Sequence, residues 1–223
     1  MAEGVNKTAA QENAGQCLFI DRSSAPLSAL SDEELMLRHA DGSEEAFEEL
    51  LRRRHKGILN YMYRMVQNRQ IAEELTQEVF MALVRNAERY QPTAKFSTYL
   101  YKIASNIVAK EWARNKRRPK FFSLSAWSRN DDEDTVDLIE QLEDERANVE
   151  TRLERDEVSE AVNAALKKLP EPHREAFVLH RLQGLSYEEV AAITDSPVGS
   201  VKSRVFRAEQ ALRPLLKRFR EYI

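Results

Sequence analysis

A long run without glycine, from Gly57 to Gly184, sets the main limit on how this chain can fold. The chain has 223 residues, of which only six are glycine. Sheet proteins need frequent turn residues between short strands, and glycine supplies many of those turns. In the same run, apolar residues recur at helical spacing instead of alternating. The sequence therefore predicts an all-α fold.

Helix signals divide residues 29–118 into four predicted helices. Ser31 followed by Glu34 forms a capping box, which marks the start of the first helix. A second helix follows it, and a third and a fourth are predicted over about 69–89 and 97–116. Each of them can bury one apolar stripe against its neighbours, which predicts a small helical bundle.

Charge is strongly segregated along the chain. Residues 96–120 hold seven basic residues and one acid, and residues 200–220 hold the same numbers. Residues 131–150 invert this pattern, with ten acids and one base. The formal net charge of -3 therefore hides two basic segments on either side of an acidic one. We interpret residues 119–152 as an acidic linker, and residues 153–223 as a second helical block.

The second block contains the spacing of a helix-turn-helix. Ser186 and Glu189 form a capping box for a short first helix. Asp195 begins the turn, and Ser196 and Pro197 suit the N-cap and the first position of the second helix.

The second helix of this motif is predicted to have two different faces. One is an apolar stripe at helical spacing: Val198, Val201, Val205, Ala208 and Leu212. The opposite face presents Ser200, Lys202, Ser203, Arg204, Phe206 and Arg207. Arginine can bridge guanine edges in a major groove, while lysine and serine hold phosphates. We therefore predict a DNA-reading helix; the alternative is a solvated face on a structural hairpin.

The other basic segment interleaves aromatic residues with cations. Aromatic rings beside a basic track suit unpaired bases, which stack on them. The alternative is that these rings belong to the core, because Phe96, Tyr99 and Ile103 fall on one helical stripe. The residues alone leave both interpretations open.

Four segments in a fixed order resemble the extracytoplasmic-function sigma factors, small two-domain members of the bacterial sigma-70 family. They are "AEELTQEVFMAL" (72–83), "FSTYLYKIASNIVAKEWARNKRR" (96–118), "LPEPHREAFVLHRLQGLSYEEVA" (169–191) and "SPVGSVKSRVFRAEQAL" (196–212). The resemblance covers about 29–118 and 153–220. It implies two small helical domains, an N-terminal bundle (region 2) and a C-terminal helix-turn-helix (region 4), joined by the acidic linker.

The resemblance also implies roles for individual residues. The third helix would dock on RNA polymerase through Glu74, Gln77 and Glu78. Residues 29–118 would also melt and read the downstream promoter element, through Lys95, Tyr101, Asn106, Lys110 and Arg114. Within residues 153–223, the reader of the upstream element would include Lys202, Ser203, Phe206 and Arg207.

As partners, the resemblance implies core RNA polymerase and promoter DNA, and it admits an anti-sigma factor. It implies neither a cofactor nor a metal. Residues 1–28 are polar and aperiodic, and we predict a mobile tail there, without a secretory signal or a membrane span. The single cysteine, Cys17, cannot form an internal disulfide, which fits a cytoplasmic protein.

Two other classes of protein are alternatives to a sigma factor: a stand-alone regulator and an enzyme. A stand-alone helix-turn-helix regulator would bind palindromic DNA tightly by itself. An enzyme, such as a recombinase, would need a catalytic motif. The four histidines show no metal-binding spacing, and the sequence has neither a phosphate-binding glycine loop nor a nucleophile motif.

The acidic linker itself suggests a further hypothesis. A run such as "DDEDTVD" (131–137) carries the same sign of charge as a nucleic-acid backbone. It can shield the basic helices in the free protein and follow a basic channel of the polymerase in the complex. The alternative is a spacer whose charge only aids solubility.

Overall fold

The structure, a computed structural model, describes residues 26–117 and 149–217, with the backbone alone for 149–157. The described residues form eight α-helices and no strand, which confirms the predicted all-α fold. They are α1 (Asp32–Ala40), α2 (Glu44–Val66), α3 (Arg69–Arg85), α4 (Phe96–Arg117), α5 (Val149–Lys167), α6 (Glu171–Phe177), α7 (Tyr187–Ile193) and α8 (Val198–Leu215). Residues 1–25 of the predicted tail (1–28) and residues 119–148 of the predicted linker (119–152) lie outside the described residues, and the last four residues of that linker are helical instead.

Helices α1–α4 form the N-terminal half, in which α2 packs against each of the other three. The predicted capping box is present: Glu34 N donates to Ser31 Oγ at 3.2 Å, and Ser31 N donates to the Glu34 carboxylate at 3.0 Å. The core of this half is built from large side chains with almost no exposure: Leu35, Met36, Leu50, Ile58, Tyr61, Met62, Met65, Leu83, Phe96 and Leu100.

The third helix ends earlier than the sequence predicted. It stops at Arg85 and not at residue 89. Asn86 follows it, and its side-chain amide donates to the Ala82 carbonyl at 2.7 Å, so the side chain competes with the backbone for that carbonyl. A 3₁₀ turn over Ala87–Arg89 then leads towards α4.

Helices α5–α8 form the C-terminal half. Helix α6 continues as a π-helical turn over Val178–Leu182, and the chain reverses at Gly184, whose φ of 71° favours glycine. Helix α8 packs against both α6 and α7. Helix α5 begins at Val149, ahead of residue 153, where the sequence placed the second block.

The buried guanidinium of Arg174 on α6 joins the two halves. It donates to the carbonyls of Leu166, Lys167 and Leu169, which close the end of α5 and the following turn. Its fourth bond runs to the Met65 carbonyl, at the end of α2, over 2.8 Å. Carbonyls at helix ends lack intrahelical partners, so one side chain satisfies them in both halves.

The two halves also pack directly against each other. Helix α4 lies along α7, and α2 contacts both α5 and α6. Trp112 on α4 donates its indole N–H to the same Met65 carbonyl at 3.4 Å. No helix in the described ranges has the length and the apolar character needed to cross a bilayer.

Replacing Arg174 with alanine tests its role in stability. Arg174→Ala leaves the α5 and α2 carbonyls without their charged donor, so the free energy of unfolding should fall by about 3 kcal/mol. Urea denaturation followed by circular dichroism measures this. The exposed Arg213→Ala is the matched control and should change stability by less than about 0.5 kcal/mol. Equal losses for the two variants would contradict the role assigned to Arg174.

Candidate nucleic-acid and protein interfaces

Helix α8 has the two faces that its sequence predicts. Val201, Val205, Ala208 and Leu212 are buried against the rest of the C-terminal half, whereas Val198 is half-buried. The opposite face is open, and Phe206 at its centre is 60 % exposed. The exposed cations Lys202 and Arg207 lie on the same face, so it offers a partner both an apolar group and positive charge.

The start of α8 differs from the prediction by one residue. Pro197 is the N-cap and Val198 the first helical residue, whereas Ser196 had been expected to cap the helix. The Ser196 hydroxyl is used elsewhere: it donates to the Thr194 carbonyl at 3.0 Å and accepts from Arg204 Nη1 at 3.0 Å. Asp195 turns the chain with a φ of 46°, a conformation that aspartate tolerates better than most residues.

The six residues of α8 that were predicted to contact DNA differ in how exposed they are. Lys202, Ser203, Phe206 and Arg207 are exposed, but Ser200 and Arg204 are half-buried. The hydrogen bond from Arg204 to Ser196 ties the recognition helix to the turn before it. Arg204 is therefore partly a structural residue, whereas Arg207 projects from the surface.

Two residues near this face were missed by the sequence analysis. Tyr187 on α7 lies beneath Lys202, whose Nζ is 5.5 Å from the ring centroid, and it stacks on His180 at 4.0 Å. The ring therefore positions the lysine by a cation–π contact. His173 on α6 is the other: burial lowers its pKa, and the nearby Arg207 and Arg204 lower it further. Neither contact has a local sequence signal.

Helix α4 carries the second basic surface. Asn106, Lys110 and Arg114 are exposed and lie four residues apart, so they share one face. The Arg114 guanidinium pairs with the buried carboxylate of Glu111 at 2.6 Å, which holds the end of its side chain beside the helix.

The other two predicted members of this group lie elsewhere. Tyr101 is only 7 % exposed, and its hydroxyl donates to Gln183 Oε1 in the C-terminal half. Burial raises the pKa of Tyr101 to about 12, so it keeps its proton. Lys95 is exposed, but it pairs with Glu189 on α7 at 3.0 Å. The structure thus separates the exposed trio on α4 from two residues that contact the other half.

The aromatic residues at the start of α4 pack together. Phe96 is buried, as the core interpretation required. Tyr90 lies beside Tyr99, with ring centroids 5.1 Å apart, and beside Phe96 at 6.1 Å. Tyr99 and Ile103 are half-buried against this cluster. Phe96 is therefore a core residue, and Tyr99 keeps part of its ring at the surface.

The outer face of α3 combines acids with apolar residues. Glu74, Gln77 and Glu78 are all exposed, as predicted. Met81 is 56 % exposed and Val84 is 39 % exposed on the following turns. The sequence analysis missed these two apolar residues, although their position next to the acidic stripe was visible. An exposed methionine is an adaptable surface for protein contacts.

Two regions of the chain match profiles of known protein families. Residues 50–118 match Sigma-70 region 2, and residues 159–212 match Sigma-70, region 4. The RNA polymerase sigma-H factor of Pseudomonas aeruginosa is 33 % identical over 190 residues, covering 83 % of this chain and 96 % of the relative. The ECF RNA polymerase sigma-E factor of Escherichia coli K12 is 33 % identical over 193 residues, covering 85 % and 98 %.

Solved structures with the same fold include two proteins in complexes. CnrH, solved with the cytosolic domain of CnrY, gives a TM-score of 0.58 at 22 % identity, covering 83 % of this chain and 97 % of that one. RpoE of Bartonella quintana, solved with the anti-sigma factor NepR, gives 0.56 at 21 % identity, covering 77 % and 96 %. At these identities the likeness shows the fold alone.

The two faces of α8 predict opposite responses to one substitution. Val201→Lys places a charge in a site with no exposure, so the free energy of unfolding should fall by about 4 kcal/mol. Phe206→Lys adds the same charge to the open face and should change stability by less than about 0.5 kcal/mol. Thermal denaturation of both variants measures the difference. A Phe206 variant as unstable as the Val201 variant would mean that the open face is packed.

Proposed function

The chain belongs to the extracytoplasmic-function group of the sigma-70 family and is an RNA polymerase sigma factor, and from this premise we propose which surface meets the polymerase and which meet the promoter. Residues 29–118 act as region 2, and residues 153–223 act as region 4. The observation that carries this assignment is that each family match contains one of the two exposed basic surfaces.

The outer face of α3 docks on core RNA polymerase. Its exposed acids, Glu74 and Glu78, give charge complementarity, Gln77 adds an amide between them, and the neighbouring Met81 and Val84 add apolar area. A protein interface needs both, because charge steers the encounter and buried apolar surface supplies affinity. No charged partner within the described residues competes for Glu74 or Glu78.

The exposed face of α4 contacts the downstream promoter element. Asn106 offers an amide that can read a base, and Lys110 and Arg114 supply cations for the backbone. Lys95 and Tyr101 join this surface when they are released from Glu189 and Gln183. The half-buried ring of Tyr99 lies at the same end of α4 and can stack on an unpaired base.

The open face of α8 reads the upstream element in a major groove. Arg207 is exposed and long enough to reach a base edge, whereas Lys202 is held over Tyr187 and suits a phosphate. Phe206 provides an apolar contact for a thymine methyl group. Arg204 supports the helix through Ser196 and adds charge to the face.

The partners of the chain are core RNA polymerase and promoter DNA, and it acts in the cytoplasm without catalysing a reaction. An anti-sigma factor is a further partner that we propose. The likeness to structures of CnrH with CnrY and of RpoE with the anti-sigma factor NepR supports it. No observation favours a stand-alone regulator or an enzyme.

Transcription with core polymerase tests both the function and the docking face. The purified chain and core polymerase, given a genomic promoter library, should produce start sites that share a two-part upstream motif. Glu74→Lys combined with Glu78→Lys should abolish this transcription and weaken polymerase binding at least tenfold, because it reverses the charge of the docking face. Surface substitutions rarely change stability by more than about 0.5 kcal/mol, so thermal melting should stay the same.

The control for this double variant is Glu160→Lys, an exposed acid on α5 outside the proposed docking face. It should transcribe like the wild type. Start sites without a shared motif would contradict the function, whereas normal polymerase binding by the double variant would contradict only the docking face.

Substitutions on α8 separate a base contact from a phosphate contact. Arg207→Ala should cost about 1–3 kcal/mol of promoter binding and relax preference at one position, since it reads a base. Lys202→Ala should weaken all promoter sequences alike and lower the salt slope by about one, since it holds a phosphate. Holoenzyme binding to promoter variants at several salt concentrations measures both. An equal loss on every sequence for Arg207→Ala would reverse the two assignments.

A further inference from the structure

Met81 on α3 differs from the other methionines of the described residues in its exposure. Three of them are at most 1 % exposed: Met36, Met62 and Met65. Met81, in contrast, is 56 % exposed. A methionine is oxidised at its thioether sulfur, which an oxidant has to approach from the solvent. Within residues 26–117 and 149–217, Met81 is therefore the methionine that a dissolved oxidant meets first.

Met81 lies within the outer face of α3. Glu78 precedes it by three residues and Val84 follows it by three, and residues at this spacing are neighbours on one side of a helix. The opposite side of α3 holds buried core residues, among them Leu75 and Val79. The apolar side chain of Met81 therefore belongs to the proposed polymerase-docking face and not to the core.

Hydrogen peroxide converts a thioether into a sulfoxide in one two-electron step. A lone pair of the sulfur attacks one peroxide oxygen, and the S–O bond forms as the O–O bond breaks. The other oxygen leaves as hydroxide, which takes the proton of the first oxygen and becomes water. The sulfur loses two electrons and the peroxide gains them. Because hydrogen peroxide is small and uncharged, the exposed carboxylates of Glu74 and Glu78 on the same face do not repel it.

Oxidation changes what this position offers to a partner. The flexible apolar side chain becomes a polar one, with an oxygen that accepts hydrogen bonds. When an interface buries that oxygen without a donor, the oxygen loses its water and gains no new bond, which disfavours binding. Helices α4 and α8, which carry the proposed DNA contacts, contain no methionine, so peroxide finds no thioether there. The effect of oxidation thus falls on the docking face.

We propose that Met81 is a site of reversible oxidation by peroxide, and that its sulfoxide weakens docking of the chain on core RNA polymerase. The oxidised chain keeps its fold, because the modified side chain lies outside the core. Methionine sulfoxide reductases, one for each epimer of the sulfoxide, remove the oxygen and restore the apolar surface. This inference rests on the proposed role of the outer face of α3 in polymerase docking.

Limited treatment with hydrogen peroxide tests the selectivity for Met81. The full-length chain used for this carries Cys17→Ser, because the thiol of Cys17 is another group that peroxide oxidises. Peptide mass spectrometry after treatment should find one added oxygen on Met81 and almost none on the three buried methionines. Equal oxidation of Met81 and the buried methionines would contradict the proposal.

The affinity for core RNA polymerase, measured before and after treatment, tests the consequence for docking. Oxidation of the Cys17→Ser chain should weaken binding about tenfold, and treatment with both reductases should restore it. Met81→Leu in the same background is the matched control and is compared with its own untreated sample. It has no thioether at this position, so peroxide should leave its affinity where it was, whatever other residues are oxidised. Met81→Gln, which places a polar group there, should bind weakly without peroxide.

Two further measurements separate this inference from the proposed docking face. The melting temperature should be the same before and after treatment, and a lower one would show that oxidation acts through the fold, against the proposal. The double variant with Glu74→Lys and Glu78→Lys tests the docking face itself, and normal polymerase binding by it would contradict that face. If the double variant loses binding while the oxidised chain binds as tightly as the untreated chain, only the role of Met81 is overturned.

Discussion

The arrangement of this molecule depends on satisfying backbone carbonyls where helices end. Arg174 is buried, yet all its hydrogen bonds go to carbonyls, three in its own half and one at the end of α2. Lys102 does the same for the end of α7 from the opposite half. Each of these cations would be costly to bury without such partners. The two halves therefore fit together in one register, since a different packing would leave both sets of groups unpaired.

The interface between the two halves combines directional polar contacts with apolar packing. Its ion pairs and hydrogen bonds, such as Lys95 with Glu189 and Tyr61 with Glu175, fix which residues face each other, and each adds little net stability because water pairs with the same groups in the unfolded chain. Buried apolar residues of both halves also belong to one continuous cluster, which includes Leu50 and Ile58 in one half and Val201 and Val205 in the other.

Some of the functional surfaces can be found from the local sequence pattern, whereas others depend on tertiary contacts. The open face of α8 and the acidic face of α3 are the reverse sides of stripes that bury apolar residues, so helical periodicity is enough to find them. The exposed trio on α4 follows from its four-residue spacing. Tyr101 and Lys95 are different, because their surroundings depend on residues far away in the chain. The contact between Tyr187 and Lys202 was not predicted for the same reason, since it joins two helices.

By itself, the sequence determined that the chain is helical, where most helices begin, and which faces they bury. Capping boxes at Ser31 and Ser186, glycine-free periodicity and segregated charge act over a few residues, so they can be recognised without a structure. The tertiary structure alone decided that Ser196 bonds to Arg204 instead of capping α8, that Phe96 lies in the core, and that Glu175 and Lys102 reach across to the other half. These outcomes depend on partners 8 to 91 residues away, and a local pattern carries no information about contacts at such separations.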